Sequence, residues 1–207
     1  MTINVYTIVW NEEFMLPKFL DHYSKWASRI FVIDDHSTDL TAEIAKAHPL
    51  VTYSVYDFEG LKEDEFNDTF QSYYENYKSD WAIVADADEF IQGLETLPEE
   101  SKDVVLKTKG YMMIGETGKL EDCKPIRMKS FDKPVVFDPK AGVRFGDGRH
   151  TVNLPTRDSK LELWHYKYPS REYYLNRNLE AYPRIMDKQQ MDYRIKRGLR
   201  WYDEHIS

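Results

Sequence analysis

Three polar clusters in this 207-residue chain combine residue types that hold metal ions or move protons: Asn11-Glu12-Glu13, Asp34-Asp35-His36 and Asp86-Ala87-Asp88-Glu89. The third is the densest. Three acids within four residues exceed what capping a helix start requires, because one Asp there already satisfies the free N–H groups. Alternation in an extended segment puts Asp86 and Asp88 on one side, about 6–7 Å apart. Carboxylates held that close repel unless a cation or a proton sits between them. Mg²⁺ or Mn²⁺ takes oxygen ligands from such a pair and completes its shell with substrate phosphate oxygens. That chemistry suits stabilising a departing diphosphate.

The elements that must position these clusters follow from hydrophobic spacing. Residues 3–9 are β-branched and aromatic and read as a strand. Phe14, Leu16, Phe19, Leu20, Tyr23, Trp26 and Ala27 recur at three- and four-residue steps, the period of a helix, with Pro17 near its start. Residues 30–33 form a continuous apolar run, as in a strand covered on both faces. A short helix over 40–47 follows, with Ser37-Thr38-Asp39 offering caps and Pro49 stopping it. Then come a strand at 51–56, a helix marked by Phe66, Phe70, Tyr73, Tyr74 and Tyr77, and a strand at 81–85. Alternating strands and helices predict a parallel sheet with right-handed crossovers and helices on both faces. In such sheets, ligands bind beyond the carboxyl ends of the strands, and all three polar clusters lie there. After Gly93, segments 104–106, 111–114, 134–137 and 161–166 read as strands joined without long helices, adding antiparallel or mixed strands to the same sheet. Residues 170–205 are helical in preference. The chain reads as one α/β domain, 1–207, with a metal-binding half (1–95), a second half (96–170) and a helical C-terminal segment (171–207).

Composition narrows the function classes. With 28 Lys and Arg against 36 Asp and Glu, the net charge of −8 argues against a general nucleic-acid binder. The acidity is uneven: residues 1–150 hold 17 basic and 28 acidic side chains, whereas residues 151–207 hold 11 and 8. The basic tail could hold something anionic against the acidic part. A single Cys123 forbids an intramolecular disulfide and a cysteine-cluster zinc site. No apolar run approaches the ~18 residues that span a bilayer, and no signal-peptide pattern opens the chain. These features point to a soluble cytoplasmic protein, in the host cytoplasm if viral. No GxxxxGK[ST], GxGxxG or HExxH sequence occurs, so P-loop, dinucleotide-binding and zincin readings lack their signatures.

Three segments in order carry a family resemblance: Val9-Trp10-Asn11-Glu12-Glu13, Phe31-Val32-Ile33-Asp34-Asp35-His36-Ser37-Thr38-Asp39, and the DxD block Trp81-Ala82-Ile83-Val84-Ala85-Asp86-Ala87-Asp88-Glu89-Phe90. Over residues 1–95 the chain resembles GT-A fold glycosyltransferases of family 2 and its relatives. Gly148-Arg149-His150 and Leu163-Trp164-His165-Tyr166-Lys167-Tyr168 resemble late motifs of some members.

The resemblance implies a single Rossmann-like mixed sheet flanked by helices, and transfer of a sugar from a nucleotide diphosphate sugar, a UDP-sugar, to a glycan or protein-linked glycan. It implies that Thr7, Val9 and Asn11 line the base and ribose site and that Asp34 or Asp35 contacts uracil or ribose. Asp86 would approach ribose and metal, and Asp88 would ligate Mn²⁺ or Mg²⁺ with His165 as a late ligand; His150 competes for that role. From the basic tail, Lys167, Arg171, Arg177 and Arg184 are within reach of such a pyrophosphate, and only some can point inward, because Arg171 and Arg177 do not share a helical face. An acceptor base would be Glu116 or Asp147, both beside glycines. The chain would be the catalytic domain of a longer protein with further domains C-terminal to it. A metal-dependent phosphohydrolase or phosphotransferase, or a non-catalytic nucleotide-sugar-binding domain, would use the same acids.

Overall fold

The computed structural model describes residues 1–56, 63–99, 101, 104–184 and 188–206. β1 (Ile3–Val9) lies between β2 (Arg29–Asp34) and β4 (Trp81–Val84), parallel to both, and β3 (Val51–Val55) extends the sheet beyond β2. The chain steps outward from β1 to β3, then returns to place β4 on the other side of β1. The strand order therefore reverses between β1 and β4, and a crevice opens where their carboxyl ends diverge.

The helices follow the apolar spacing. α1 (Leu16–Tyr23) buries Leu16, Phe19, Leu20 and Tyr23 on one stripe, with Pro17 in its first turn, where a missing N–H is harmless. It is shorter than the 14–27 periodicity predicted, because Phe14 and Trp26 are partly exposed beyond its ends. α2 (Thr41–Ala47) connects β2 to β3. α3 (Glu63–Asn76) places Phe70, Tyr73 and Tyr74 around Tyr6, which stacks on Phe31 at 4.7 Å.

The second half adds β5 (Glu89–Gln92), β6 (Val105–Ile114), β7 (Lys124–Arg127), β8 (Val136–Phe137) and β9 (Arg157–Tyr168) to the same sheet, in the order β3-β2-β1-β4-β8-β6-β9-β5, with β7 on β6. β8 runs antiparallel to β4 and β6, and β5 antiparallel to β9. β6 and β9 run parallel to each other, which makes the sheet mixed. Two strand predictions, 104–106 and 111–114, are halves of the single strand β6. β5 and β7 carry no separate prediction. α4 (Arg171–Ala181), capped by Ser170 Oγ accepting from the Tyr173 amide, and α5 (Lys188–His205) complete the chain. Positions 185–187 of the predicted helical tail lie outside the described residues. Among the described residues, no helix is long and apolar enough to cross a membrane.

Candidate active site

β4 ends at Val84, and the chain turns at once rather than continuing extended: the Glu89 amide donates to Asp86 O at 2.9 Å. The expected side-by-side arrangement of Asp86 and Asp88 is therefore replaced by a turn in which each finds different partners. β5 leaves this turn antiparallel to β9 in a register that sets Glu89 opposite His165. The Tyr166 amide donates to Asp88 O at 2.8 Å, and His165 Nε2 lies 3.1 Å from Asp88 Oδ2. The other ring nitrogen, Nδ1, is buried with no hydrogen-bond partner among the described residues. Tyr23 of α1 pins β5 from behind, donating to Glu89 O at 3.0 Å and accepting from the Ile91 amide at 3.1 Å.

Asp86 faces cations. Arg149, on a short 3-10 turn over Asp147–Arg149, donates to Asp86 Oδ1, and Lys133 Nζ lies 3.9 Å from Asp86 Oδ2. Lys133 is itself anchored on Glu89 Oε1 at 2.5 Å, while Glu89 Oε2 accepts from the Asp86 amide at 3.2 Å. Desolvation opposes ionisation of Asp86, but Arg149 and Lys133 outweigh it and hold the carboxyl below its usual range. For Asp88, desolvation is likewise outweighed, here by the bonded His165 with help from Lys133 and Lys167, and its carboxyl is held well below the usual range.

The ends of β1 and β2 are met by the C-terminal segment. Arg177 donates to Glu12 Oε1 at 2.5 Å and to Trp10 O at 2.8 Å, and Arg184 donates to Asp35 Oδ2 at 2.7 Å. Both guanidinium groups lie against the Trp10 ring, at 5.4 and 4.4 Å. Burial pushes the Glu12 carboxyl up to about 8 against the pull of Arg177. Asn11 takes the left-handed backbone conformation, with φ 49°, and donates to Glu180 Oε1 at 2.6 Å. Asp34 is buried, accepting from the Ser37 amide at 2.9 Å and from Tyr53 Oη at 2.8 Å.

The structure sorts the sequence candidates. Asp86, Asp88, His165 and Arg149 meet at the crevice beyond β4, with His150 next to Arg149 and its ring against Phe131 at 5.6 Å. Thr7 and Val9 are 0% and 2% exposed inside β1, so neither side chain is open to a ligand. Their alternation toward a covered sheet face is the reason. Glu116 is exposed in the turn after β6 and lines a separate cavity with Thr117, Asp122 and Lys124. Asp147 is exposed two residues from Arg149. Arg171 pairs with Asp203 at the surface and does not join the crevice. Lys133 and the structural role of Glu89 escaped the sequence reading. The one cue for Lys133 was a cation directly before the apolar run that becomes β8.

Solved structures share the fold at low sequence identity. S. aureus TarS 1–349 in complex with UDP-GlcNAc superposes with a TM-score of 0.53 at 15% identity, over 94% of this chain and 70% of that one. A second structure of TarS 1–349 gives 0.51 at 15% identity, over 94% and 69%. The fold is GT-A. A longer TarS chain gives 0.50 at 15% identity, with 93% of this chain covering 42% of it. No protein-family model matches the sequence, and no curated protein does.

In this GT-A crevice, the fit of a divalent cation depends on the donors present. Among the described residues, no three His, Cys, Asp or Glu side chains converge into a ready metal site. The expected set of Asp86, Asp88 and His165 is therefore not assembled as a triad, because Arg149 and Lys133 take up Asp86. Asp88 and His165 do fit: a carboxylate oxygen and an imidazole nitrogen meet at the crevice, a suitable pair for Mn²⁺ or Mg²⁺ completed by ligand oxygens.

Proposed function

We propose that this chain is a glycosyltransferase that moves a sugar from a UDP-sugar to a glycan acceptor, using Mn²⁺ or Mg²⁺. The observation that carries the reading is the Asp86–Asp88 turn, with His165 and Arg149 converging on it, at the switch point of a GT-A sheet. The UDP-GlcNAc complex of TarS supports a nucleotide sugar as the donor class.

Asp88 and His165 would hold the divalent ion, which supplies positive charge to the diphosphate. Arg149 and Lys133 add fixed cations beside it, at no reorganisation cost during the reaction. Asp35, Arg184 and Trp10 form the wall against which base and ribose would lie, and Asp34 stiffens that wall through Tyr53 and Ser37. In the transfer, the acceptor hydroxyl oxygen bonds to the anomeric carbon, the bond from that carbon to the diphosphate oxygen breaks, and UDP leaves with the electron pair. The hydroxyl proton passes to a carboxylate; Asp147, beside Arg149, takes this role in preference to the remote Glu116.

The test is release of UDP from UDP-sugars with Mn²⁺ present, alongside calorimetric titration of UDP with and without EDTA. UDP release, and UDP affinity lost on chelation, is the expected result. Equal UDP affinity in EDTA removes the metal from the reading. Free phosphate from phosphomonoesters, with no UDP-sugar turnover, would replace transfer by phosphohydrolysis.

A further inference from the structure

Beside the Asp86–Asp88 turn, β6, β9, α4 and α5 border a cavity of about 240 Å³ that is open to solvent, with Arg194 and Arg197 exposed at it. Three cations line it, Lys167 from β9 and Arg194 and Arg197 from α5, and no acidic residue does. Its walls include Phe131, Tyr168 and Trp201, the last two with ring centroids 4.9 Å apart and planes tilted by 32°. Two relationships connect it to the crevice. Lys167 follows His165 by two residues on β9, across an irregularity in its pairing with β6, and its charge acts on Asp88. Phe131 lines the cavity and also packs its ring 5.2 Å from that of His165.

We infer that this cavity is the acceptor subsite and that it takes an acceptor bearing a phosphate group. The inference rests on the glycosyltransferase reading for the word acceptor, but not for the anion. A neutral glycan does not account for three cations around one cavity whose lining holds no acid. Arg194 and Arg197 stand three apart on one face of α5 and have no ion-pair partner among the described residues, unlike Arg171, Arg177 and Arg184. Guanidinium forks match phosphate oxygens in pairs, and the rings of Tyr168 and Trp201 offer apolar surface to the carbons that carry the phosphate. A phosphate seated among the three would offset the repulsion between their like charges. Part of the basic balance of residues 151–207 thus lines this cavity.

The experiment titrates the full chain with sn-glycerol 3-phosphate, and with glycerol as the neutral control, following Trp fluorescence with saturating UDP and Mn²⁺ in the buffer. The comparison is with R194Q/R197Q, and R194K/R197K keeps the charge. We expect saturable binding of glycerol 3-phosphate, none of glycerol, and an affinity loss of about tenfold or more in R194Q/R197Q, partly restored in R194K/R197K. UDP affinity in R194Q/R197Q stays as in the parent, which also shows that the variant is folded. Equal responses to glycerol and its phosphate, or undiminished binding in R194Q/R197Q, overturn the inference. If UDP binds to neither protein while glycerol 3-phosphate binding still depends on the two arginines, the donor reading fails and the anion subsite stands.

Discussion

Lys133 and Glu89 form an ion pair at 2.5 Å beneath the turn that presents Asp86 and Asp88, and neither side chain is more than 4% exposed. Glu89 also accepts from the Asp86 amide, so the pair sets the shape of the turn as well as the placement of a cation. A buried pair of this kind adds little net stability over an apolar replacement, but removing one partner strands a charge. Lys133→Met is therefore expected to lower unfolding free energy by about 3–5 kcal/mol, and Glu89→Leu/Lys133→Met to recover a large part of it. Urea unfolding of the single and double variants measures this. A Lys133→Met protein as stable as the parent would show that the pair contributes nothing to the stability of the fold.

The partners of the two acids separate their roles. Asp88 meets His165, whereas Asp86 is engaged by Arg149 and Lys133. Asp88→Asn is expected to weaken Mn²⁺ binding by about 10–100-fold or more, the scale on which even outer-shell changes act. Asp86→Asn should leave Mn²⁺ affinity nearly unchanged and alter UDP affinity instead, because it frees Arg149. Calorimetric titration of Mn²⁺ into both variants distinguishes these outcomes. Equal losses from both substitutions would mean that Arg149 gives way and Asp86 joins the ion.

These roles show how far the sequence could be read. The alternation of β1 to β4 with their helices, and the acids at the strand ends, were legible because apolar period and polar punctuation are local signals. Asp88 and His165, 77 residues apart, were paired through family resemblance. What decides their meeting is the β5–β9 register, and β5 is a four-residue strand that follows the polar cluster without a break. The cationic side of the site was less visible. Lys133 and Arg149 reach Asp86 from two separate connections in the second half, β7 to β8 and β8 to β9, which carry no periodic signal. Arg177 and Arg184 were legible as charges, but their partners Glu12 and Asp35 depend on how α4 folds back on the sheet. The burial of Thr7 and Val9 follows from the place of β1 between β2 and β4 in the sheet, which the polar Asn4 and Thr7 within the strand did not signal.

One pH effect lies outside the crevice. His22 of α1 is packed against Tyr23 and Phe90, with ring centroids at 4.7 and 5.2 Å, and its Nε2 is 2.9 Å from Ile91 O. Burial lowers its pKa from the ordinary 6.5, and the Ile91 carbonyl only partly opposes this. In the unfolded chain His22 takes up a proton as pH falls below about 6.5, while the folded form resists until lower pH. The unfolded state therefore binds more protons in that window, so His22 contributes stability that is present above pH 6.5 and is lost as pH falls through the folded value. His22→Gln should flatten this part of the stability–pH curve. Denaturant midpoints at a series of pH values from neutral to acid test it, and parallel curves for parent and variant would rule His22 out as the source.

Gly198 in α5 shows the cost of a single methyl group at the wall of the proposed acceptor subsite. A Cβ built there would lie 1.9 Å from Tyr174 Oη and 2.3 Å from its Cζ. The close approach lets Tyr174 donate to Arg194 O at 3.1 Å, fixing α4 against α5. In an exposed helix Gly→Ala would gain about 1 kcal/mol from propensity. Here the clash should dominate, and Gly198→Ala is expected to destabilise the fold by about 1–3 kcal/mol, the usual scale of overpacking. It should also weaken anion binding, because Arg194, Arg197 and Trp201 move with α5. Combining it with Tyr174→Ala tests the cause: if the ring is what the methyl meets, the double variant loses less than the two single losses added together. Thermal unfolding of the four proteins closes the cycle. A stabilised Gly198→Ala, or strictly additive losses, would show that α4 and α5 do not pack ring against glycine.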